Sequence, residues 1–129
     1  MSVIAIVDDE EDITTYLRIA LEDEGYRVVS TTDAAAAMEL LVAEEPDLIC
    51  LDLLMPQQTG VSLYADLVQH PTLSGVPIVM LSGLTSSDGL PAMLKKAGDL
   101  PEPACFIEKP VEIELFLETV RDLLGQTVS

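Results

Sequence analysis

Basic residues are scarce in this chain. Its 129 residues include 6 lysines and arginines against 23 aspartates and glutamates, which gives a formal net charge of −17. Such a surface repels nucleic-acid phosphates and anionic lipid, so direct binding to either is disfavoured, whereas cations and basic protein surfaces are favoured as partners. Cysteine is scarce too. Cys50 and Cys105 lie in apolar runs and make no disulfide framework, so we expect two reduced core residues in a cytoplasmic protein.

Membrane-spanning apolar stretches and an N-terminal signal peptide are also lacking, and we expect neither a membrane span nor secretion. Apolar residues are nevertheless abundant, because 49% of the chain is hydrophobic, which argues against disorder. The length suits one domain with an ordinary core, and we predict a single domain over residues 1–129.

Short apolar runs alternate with stretches of helical spacing along the chain. The runs predict five strands, at residues 3–7, 27–31, 48–51, 77–82 and 104–108. Asp33 is a predicted N-cap, and Gly25 and Gly125 are predicted stop signals. The helical patterns between these signals cover residues 13–21, 34–45, 61–69 and 113–124. Strands that alternate with helices predict a doubly wound α/β domain, with a parallel five-stranded sheet and helices on both faces.

One segment, residues 83–103, breaks this regularity with three glycines and three prolines. These residues predict a loop over 83–90, a short helix over 91–97 with Pro91 at its first position, and an extended Pro-bearing segment to residue 103. We expect this segment to give the domain an unusual surface for partners.

Distinctive polar residues stand at the ends of four predicted strands: Asp8-Asp9, Asp52, Ser82 and Lys109. Parallel strands bring these ends to one edge of the sheet, where open α/β sheets place their ligands. Three carboxylates there would repel one another by roughly 3 kcal/mol per pair at about 5 Å and an effective dielectric near 20. The cluster should therefore protonate or bind a cation, and ligands that are all oxygens point to Mg²⁺. A carboxylate nucleophile, a cation, an ammonium and a hydroxyl suit phosphoryl transfer.

Less specific interpretations exist for several of these residues. Asp52 alone could simply end a strand and cap a turn. Glu10, Glu11 and Asp12 are interpreted as first-turn acids that favour a helix dipole, with a metal role as the alternative. The single histidine, His70, precedes Pro71 at a helix end, so a solvated cap is favoured over a phosphohistidine.

Four motifs in order resemble the receiver domain of two-component response regulators over nearly the whole chain. They are VDDE with Asp8-Asp9, DLLMPQQTG from Asp52 to Gly60, MLSG with Ser82, and IEKP with Lys109-Pro110. The resemblance implies the flavodoxin-like receiver fold with strand order 2-1-3-4-5, which the residues alone do not give.

The resemblance also implies a metal site and an acceptor. Asp52 resembles the phosphoacceptor and a Mg²⁺ ligand, and Asp9 resembles a direct Mg²⁺ ligand. Asp8 would act largely through bound water, and the backbone carbonyl of Leu54 would complete the protein ligands of the metal.

Phosphoryl recognition and switching are implied for three further residues. Lys109 would pair with a phosphoryl oxygen, and the Lys109-Pro110 peptide would be cis as in relatives. Ser82 would hydrogen-bond the phosphoryl group and move on activation, and Phe106 occupies the position of a switch aromatic.

The implied function is a phosphorylation-controlled signalling switch and not a conventional enzyme. Asp52 would take a phosphoryl group from a histidine kinase or phosphotransfer protein, in a Mg²⁺-dependent reaction that the domain itself catalyses. Leu54 and Leu84 offer no group to orient a hydrolytic water, so we expect slow dephosphorylation. No effector domain follows the last predicted helix, so we expect output through protein contacts or onward phosphoryl transfer, with a phosphorylation-dependent dimer left open.

Three other functions are compatible with parts of the pattern, and the sequence disfavours each of them. A Mg²⁺-dependent phosphatase with an Asp nucleophile usually carries a D-x-D motif on the first strand and a cap domain, and this chain has neither. A degenerate receiver would bind partners without phosphorylation, but all five site positions carry competent residues. A flavodoxin-like cofactor binder would need a phosphate-cradling loop after the first strand, where Asp8-Asp9 would repel the phosphate.

Overall fold

The computed structural model describes residues 2–52, 60–82, 95, 98 and 100–125. In this part of the chain five strands pair in parallel in the order β2-β1-β3-β4-β5. Four helices connect or follow them. The elements in chain order are β1 Val3–Val7, α1 Glu11–Asp23, β2 Arg27–Thr31, α2 Ala34–Glu44, β3 Leu48–Asp52, α3 Gly60–Gln69, β4 Ile78–Ser82, β5 Cys105–Glu108 and α4 Ile113–Leu123. The predicted α/β fold and strand order are confirmed.

The central strand β3 is buried along its whole length, as its unbroken apolar run predicted. Both faces of the sheet are covered. Side chains of successive strand residues point to opposite faces, so β1 sends Ile4 and Ile6 to one core and Ala5 and Val7 to the other. The first core packs against α1 and α4, and the second packs against α2 and α3.

Helix ends follow the predicted signals. The Asp33 side chain accepts the backbone N–H of Ala35 at 2.9 Å and so caps α2. Gly25 adopts φ +92° just after α1, a left-handed conformation that favours glycine. The predicted start of β4 is one residue early, since the strand begins at Ile78. Pro77 has no N–H for the ladder, although its carbonyl accepts the N–H of Ile49 at 3.0 Å.

The irregular segment between β4 and β5 falls largely outside the described residues. The whole predicted loop over 83–90 lies outside them, and of the predicted helix over 91–97 only Lys95 is described, in helical conformation. Residues 100–103 are described and have no regular secondary structure, as predicted. The Tyr64 hydroxyl donates to the Pro101 carbonyl at 2.6 Å, and this bond joins the segment to α3. Leu100 packs against the core on the α2 and α3 side.

Both cysteines are free, Cys50 buried and Cys105 half-buried. Burial raises the pKa of the Cys50 thiol, and the nearby Asp8 charge raises it further. Within the described ranges, none of the helices combines the length and apolar character that crossing a bilayer requires.

Candidate functional site at the carboxyl edge of the sheet

The strand register brings the predicted site residues to one edge. Val7 pairs with Leu51 at the ends of β1 and β3, so Asp8 and Asp52 follow side by side. On the other side of β3 lies β4, and Ser82 at its end pairs with Glu108 of β5, the residue before Lys109. A shift of register in any of these pairs would separate the acids from the lysine, so the parallel ladder itself builds the site.

Lys109 is the centre of the described site. Its Nζ lies 3.0 Å from Asp8 Oδ2, 3.0 Å from Glu10 Oε1 and 3.6 Å from Asp52 Oδ1. The side chains of Asp8 and Asp52 are 0% and 4% exposed, and that of Lys109 is 10% exposed. One ammonium thus balances two buried carboxylates and a third that reaches solvent, with little water to screen the charges.

These charges determine the protonation of the lysine. Burial by itself would lower the pKa of Lys109, but the hydrogen bond that its ammonium donates to Glu10 and the nearby charges of Asp8 and Asp52 outweigh it. The net pKa is raised above the ordinary value. The side chain is therefore an ammonium at neutral pH.

Asp8 is only partly satisfied by its described neighbours. Its Oδ1 accepts the backbone N–H of Glu10 at 2.9 Å. Its Oδ2 is within ion-pair distance of Lys109, yet it has no hydrogen-bond partner with acceptable geometry among the described residues. A buried carboxylate oxygen without a hydrogen bond is costly, and a cation at this position would remove that cost.

The four acids at this edge provide a ligand set that fits a hard cation. Asp8, Asp9, Glu10 and Asp52 each offer one carboxylate oxygen, and the four oxygens lie within 4.8 Å of one another. Octahedral Mg²⁺ with oxygens at about 2.1 Å places its ligands roughly 3 to 4.2 Å apart, so a small contraction would suffice. Together with the Asp8 oxygen that lacks a hydrogen bond, this set fits Mg²⁺.

The structure describes most, but not all, of the other residues predicted for the site. Asp9 is half-buried beside Asp8, and Ser82 is described by its backbone at the end of β4. Leu54 lies outside the described residues. The Lys109-Pro110 peptide is cis, as the resemblance implied. Phe106, on β5, is half-buried and packs against the core formed with α2 and α3. Its role as a switch aromatic stays a prediction.

Glu10 is the site residue that sequence reasoning underestimated. It is the N-cap residue of α1, with no side-chain capping hydrogen bond among the described residues, so its interpretation as a first-turn acid is wrong. Its carboxylate contacts Lys109 instead. The interpretation holds for Glu11 and Asp12, which lie in the first turn. The one available signal was that Glu10 directly follows Asp8-Asp9.

His70 makes a local contact beyond the end of α3. Its imidazole Nδ1 accepts the backbone N–H of Thr72 at 3.1 Å. This N–H belongs to the turn after the helix, so the imidazole supports that turn, and the helix-end cap stays a prediction.

Comparison with known proteins agrees with the geometry. A family model of the response regulator receiver domain matches residues 4–121. Protein Rrf1 of Nitratidesulfovibrio vulgaris is 31% identical over 117 residues, which are 91% of this chain and 78% of that protein. Several other curated relatives are longer, and this chain spans about half of their length.

Solved structures show the same fold. Chemotaxis protein CheY4 of Vibrio cholerae has a TM-score of 0.83 at 26% identity, over 95% of this chain and 98% of that one. The BeF3-activated N-terminal receiver domain of Klebsiella pneumoniae RstA has a TM-score of 0.80 at 28% identity, over 96% of this chain and 99% of that one. The family match over most of the chain, joined to this fold and this acidic edge, shows that the chain belongs to the response regulator receiver domain family, a signalling family and not a class of conventional enzymes.

Proposed function

We propose that this domain is a phosphorylation-controlled switch that accepts a phosphoryl group on Asp52 in a Mg²⁺-dependent reaction. One observation carries the proposal. Asp52 taken as a whole residue is 2% exposed, and its carboxylate lies beside the Lys109 ammonium. It belongs to a set of carboxylate oxygens suited to a divalent cation. A buried carboxylate in such a charged cluster is a candidate functional group.

The chemical step transfers a phosphoryl group from a histidine nitrogen of the donor to a carboxylate oxygen of Asp52. A carboxylate oxygen of Asp52 attacks the phosphorus of a phosphohistidine, a P–O bond forms and the P–N bond breaks. The electron pair of the P–N bond stays on the imidazole nitrogen, and the product is an acyl phosphate. Lys109 stabilises the charge on the phosphoryl oxygens from one side. Bound Mg²⁺, held by Asp8, Asp9, Asp52 and the Leu54 carbonyl, would supply further charge neutralisation there.

The proposed switch involves β4, which neighbours the acceptor strand β3, and β5, which lies beyond β4. In our proposal the Ser82 hydroxyl hydrogen-bonds the phosphoryl group, and Phe106 changes its packing in response. Phe106 already packs against a core with Leu100, at the irregular segment before β5. Phosphorylation would thereby change the surface that residues 100–103 present to a protein partner.

The partners follow from charge and from the family. We propose a histidine kinase or phosphotransfer protein as donor and a protein as downstream target, each meeting this domain, with its charge of −17, through a surface that carries basic residues. A phosphorylation-dependent dimer is a further proposal of the same kind. The cytoplasmic location stays a prediction from the sequence, as does slow dephosphorylation.

The direct test is incubation with acetyl phosphate, with and without Mg²⁺, followed by intact-mass and peptide mass spectrometry. We expect one acid-labile phosphoryl group on Asp52, and only with the metal. BeF3 is a matching non-covalent probe, because the RstA receiver domain was solved in a BeF3-activated form. A protein that gains no phosphoryl group and shows no response to Mg²⁺ with BeF3 would instead support a receiver that binds partners without phosphorylation.

A further inference from the structure

Glu10 is a partner of Lys109 that the phosphoryl chemistry does not use. We propose that Glu10 is a positioning residue: it holds the Lys109 ammonium in the resting protein and must release it when a phosphoryl group forms on Asp52. The inference rests on the proposed function, since it assigns Lys109 to the phosphoryl group.

Distances show where the ammonium is directed. Lys109 Nζ lies at 3.0 Å from both Glu10 and Asp8 but at 3.6 Å from Asp52, the acceptor. An ammonium has three N–H donors, and it already faces three carboxylates. A phosphoryl group on Asp52 adds anionic oxygens that also need these donors. The phosphoryl oxygens take over the contact of Asp52 itself, and a short bond to them draws the ammonium away from Glu10 or Asp8, its two partners at 3.0 Å.

Burial decides which partner leaves. The Asp8 side chain is 0% exposed, so it gains no hydration if the ammonium moves away from it. The Glu10 side chain is 56% exposed, and its carboxylate can turn into solvent and be hydrated there. Exposed ion pairs are weak, whereas buried ones are costly to break. Glu10 is thus the displaceable partner, and its contact competes with phosphorylation.

The consequence is a measurable competition. Replacing Glu10 with Gln removes the competing charge but keeps the size of the side chain. Glu11→Gln is a matched control, because Glu11 is the exposed neighbour in the first turn of α1 and is not one of the three carboxylates described on Lys109. Both variants lose one negative charge, so the comparison removes the effect of net charge and reports the local effect of Glu10. Neither side chain is needed to cap α1.

The experiment measures BeF3 affinity in saturating Mg²⁺ from the dependence of the melting temperature on BeF3 concentration, and Mg²⁺ affinity alone in the same way. We expect Glu10→Gln to bind BeF3 about two- to fivefold more tightly than Glu11→Gln, the effect of removing one exposed ion pair. We also expect Glu10→Gln to bind Mg²⁺ alone more weakly than Glu11→Gln, but by less than about tenfold, because Asp8, Asp9 and Asp52 remain to hold the ion. Acetyl phosphate should then label Glu10→Gln faster than Glu11→Gln.

Three outcomes would overturn the inference. Equal BeF3 affinities in the two variants would show that the Glu10 contact does not compete. Mg²⁺ binding alone that is weaker in Glu10→Gln by more than about tenfold would make Glu10 a metal ligand instead. A wild-type protein that binds neither Mg²⁺ nor BeF3 would remove the proposed function as well, whereas the first two outcomes leave that function intact.

Discussion

Carboxylates occur at both ends of the sheet, but they are held in different ways. At the amino end, before β3, Asp47 Oδ2 accepts the backbone N–H of Val3 at 2.7 Å, and Glu44 pairs with Arg27 at 3.3 Å. Each of these acids has a partner of its own near solvent. At the carboxyl end, buried Asp8 and Asp52 share the ammonium of Lys109 with Glu10.

This difference separates a structural carboxylate from a reactive one. An exposed acid with its own donor is screened by water, and the pair contributes little beyond fixing a chain position. Buried acids that share one cation repel one another, and a metal ion would relieve that repulsion. In the proposed function, carboxylates therefore take part in chemistry at one end of the sheet, whereas at the other end they hold a backbone N–H or an arginine.

The largest expected effect tests the acceptor. Asp52→Asn should abolish acid-labile labelling by acetyl phosphate, because an amide is not a carboxylate nucleophile. Asp47→Asn at the opposite end should be labelled as well as wild type. Intact-mass spectrometry measures both. Labelling of Asp52→Asn at the same peptide as wild type would remove the contrast between the two ends.

The next effect concerns the metal. Mg²⁺ should stabilise the wild-type fold increasingly with its concentration, by about 2.7 kcal/mol at 100 times its Kd. Asp9→Ala should weaken Mg²⁺ binding by more than about tenfold, since even outer-shell partners of metals can cost that much. Asp8→Ala should weaken it less, because the resemblance assigns that residue a contact through water.

Thermal melts over a Mg²⁺ titration provide the measurement, with Asp47→Ala as the control from the amino end. A melting temperature that does not depend on Mg²⁺ in wild type would show that the acids at the carboxyl edge hold no such cation.

A smaller effect lies at Tyr64, away from the acids. Tyr64→Phe removes the hydrogen bond to the Pro101 carbonyl and should lower the free energy of unfolding by about 1 kcal/mol. Burial, assisted by the Glu102 charge, raises the pKa of Tyr64 above its ordinary value. A raised folded-state pKa contributes stability that is full below the unfolded-state pKa and is lost as pH rises through the folded-state pKa.

The advantage of wild type over Tyr64→Phe should therefore shrink above about pH 10, the ordinary tyrosine pKa. Urea unfolding at several pH values measures it, and phosphorylation of Asp52 at neutral pH serves as the control that should not change. A difference in the free energy of unfolding between wild type and Tyr64→Phe that grows with pH would contradict the raised pKa of Tyr64.

The smallest effect is expected at Asp47. Asp47→Asn keeps an oxygen that can accept the Val3 N–H, so the free energy of unfolding should change by less than about 0.5 kcal/mol. Denaturant unfolding is the measurement. A loss of several times that size would make the amino end as sensitive to charge as the carboxyl end.

Much of the fold could be predicted because it depends on local patterns. The apolar run before Asp52 predicted a strand buried on both faces, and β3 is such a strand. Alternation of strands with helices predicted the parallel sheet, which in turn brings Asp8, Asp52 and Lys109 to one edge. The strand order came from the resemblance, because periodicity does not state which strands are neighbours.

The sequence by itself determined which residues stand at the strand ends, since the period of apolar side chains sets where each strand stops. Only the tertiary structure decided how those residues are partnered. Glu10 and Lys109 are 99 positions apart and meet because parallel register carries β1 and β5 to the same edge of the sheet. Whether a carboxylate is buried and shared, as Asp8 is, or exposed and held by one N–H, as Asp47 is, depends on that packing. Burial sets the electrostatic cost of each charge, and no local pattern of residues contains it.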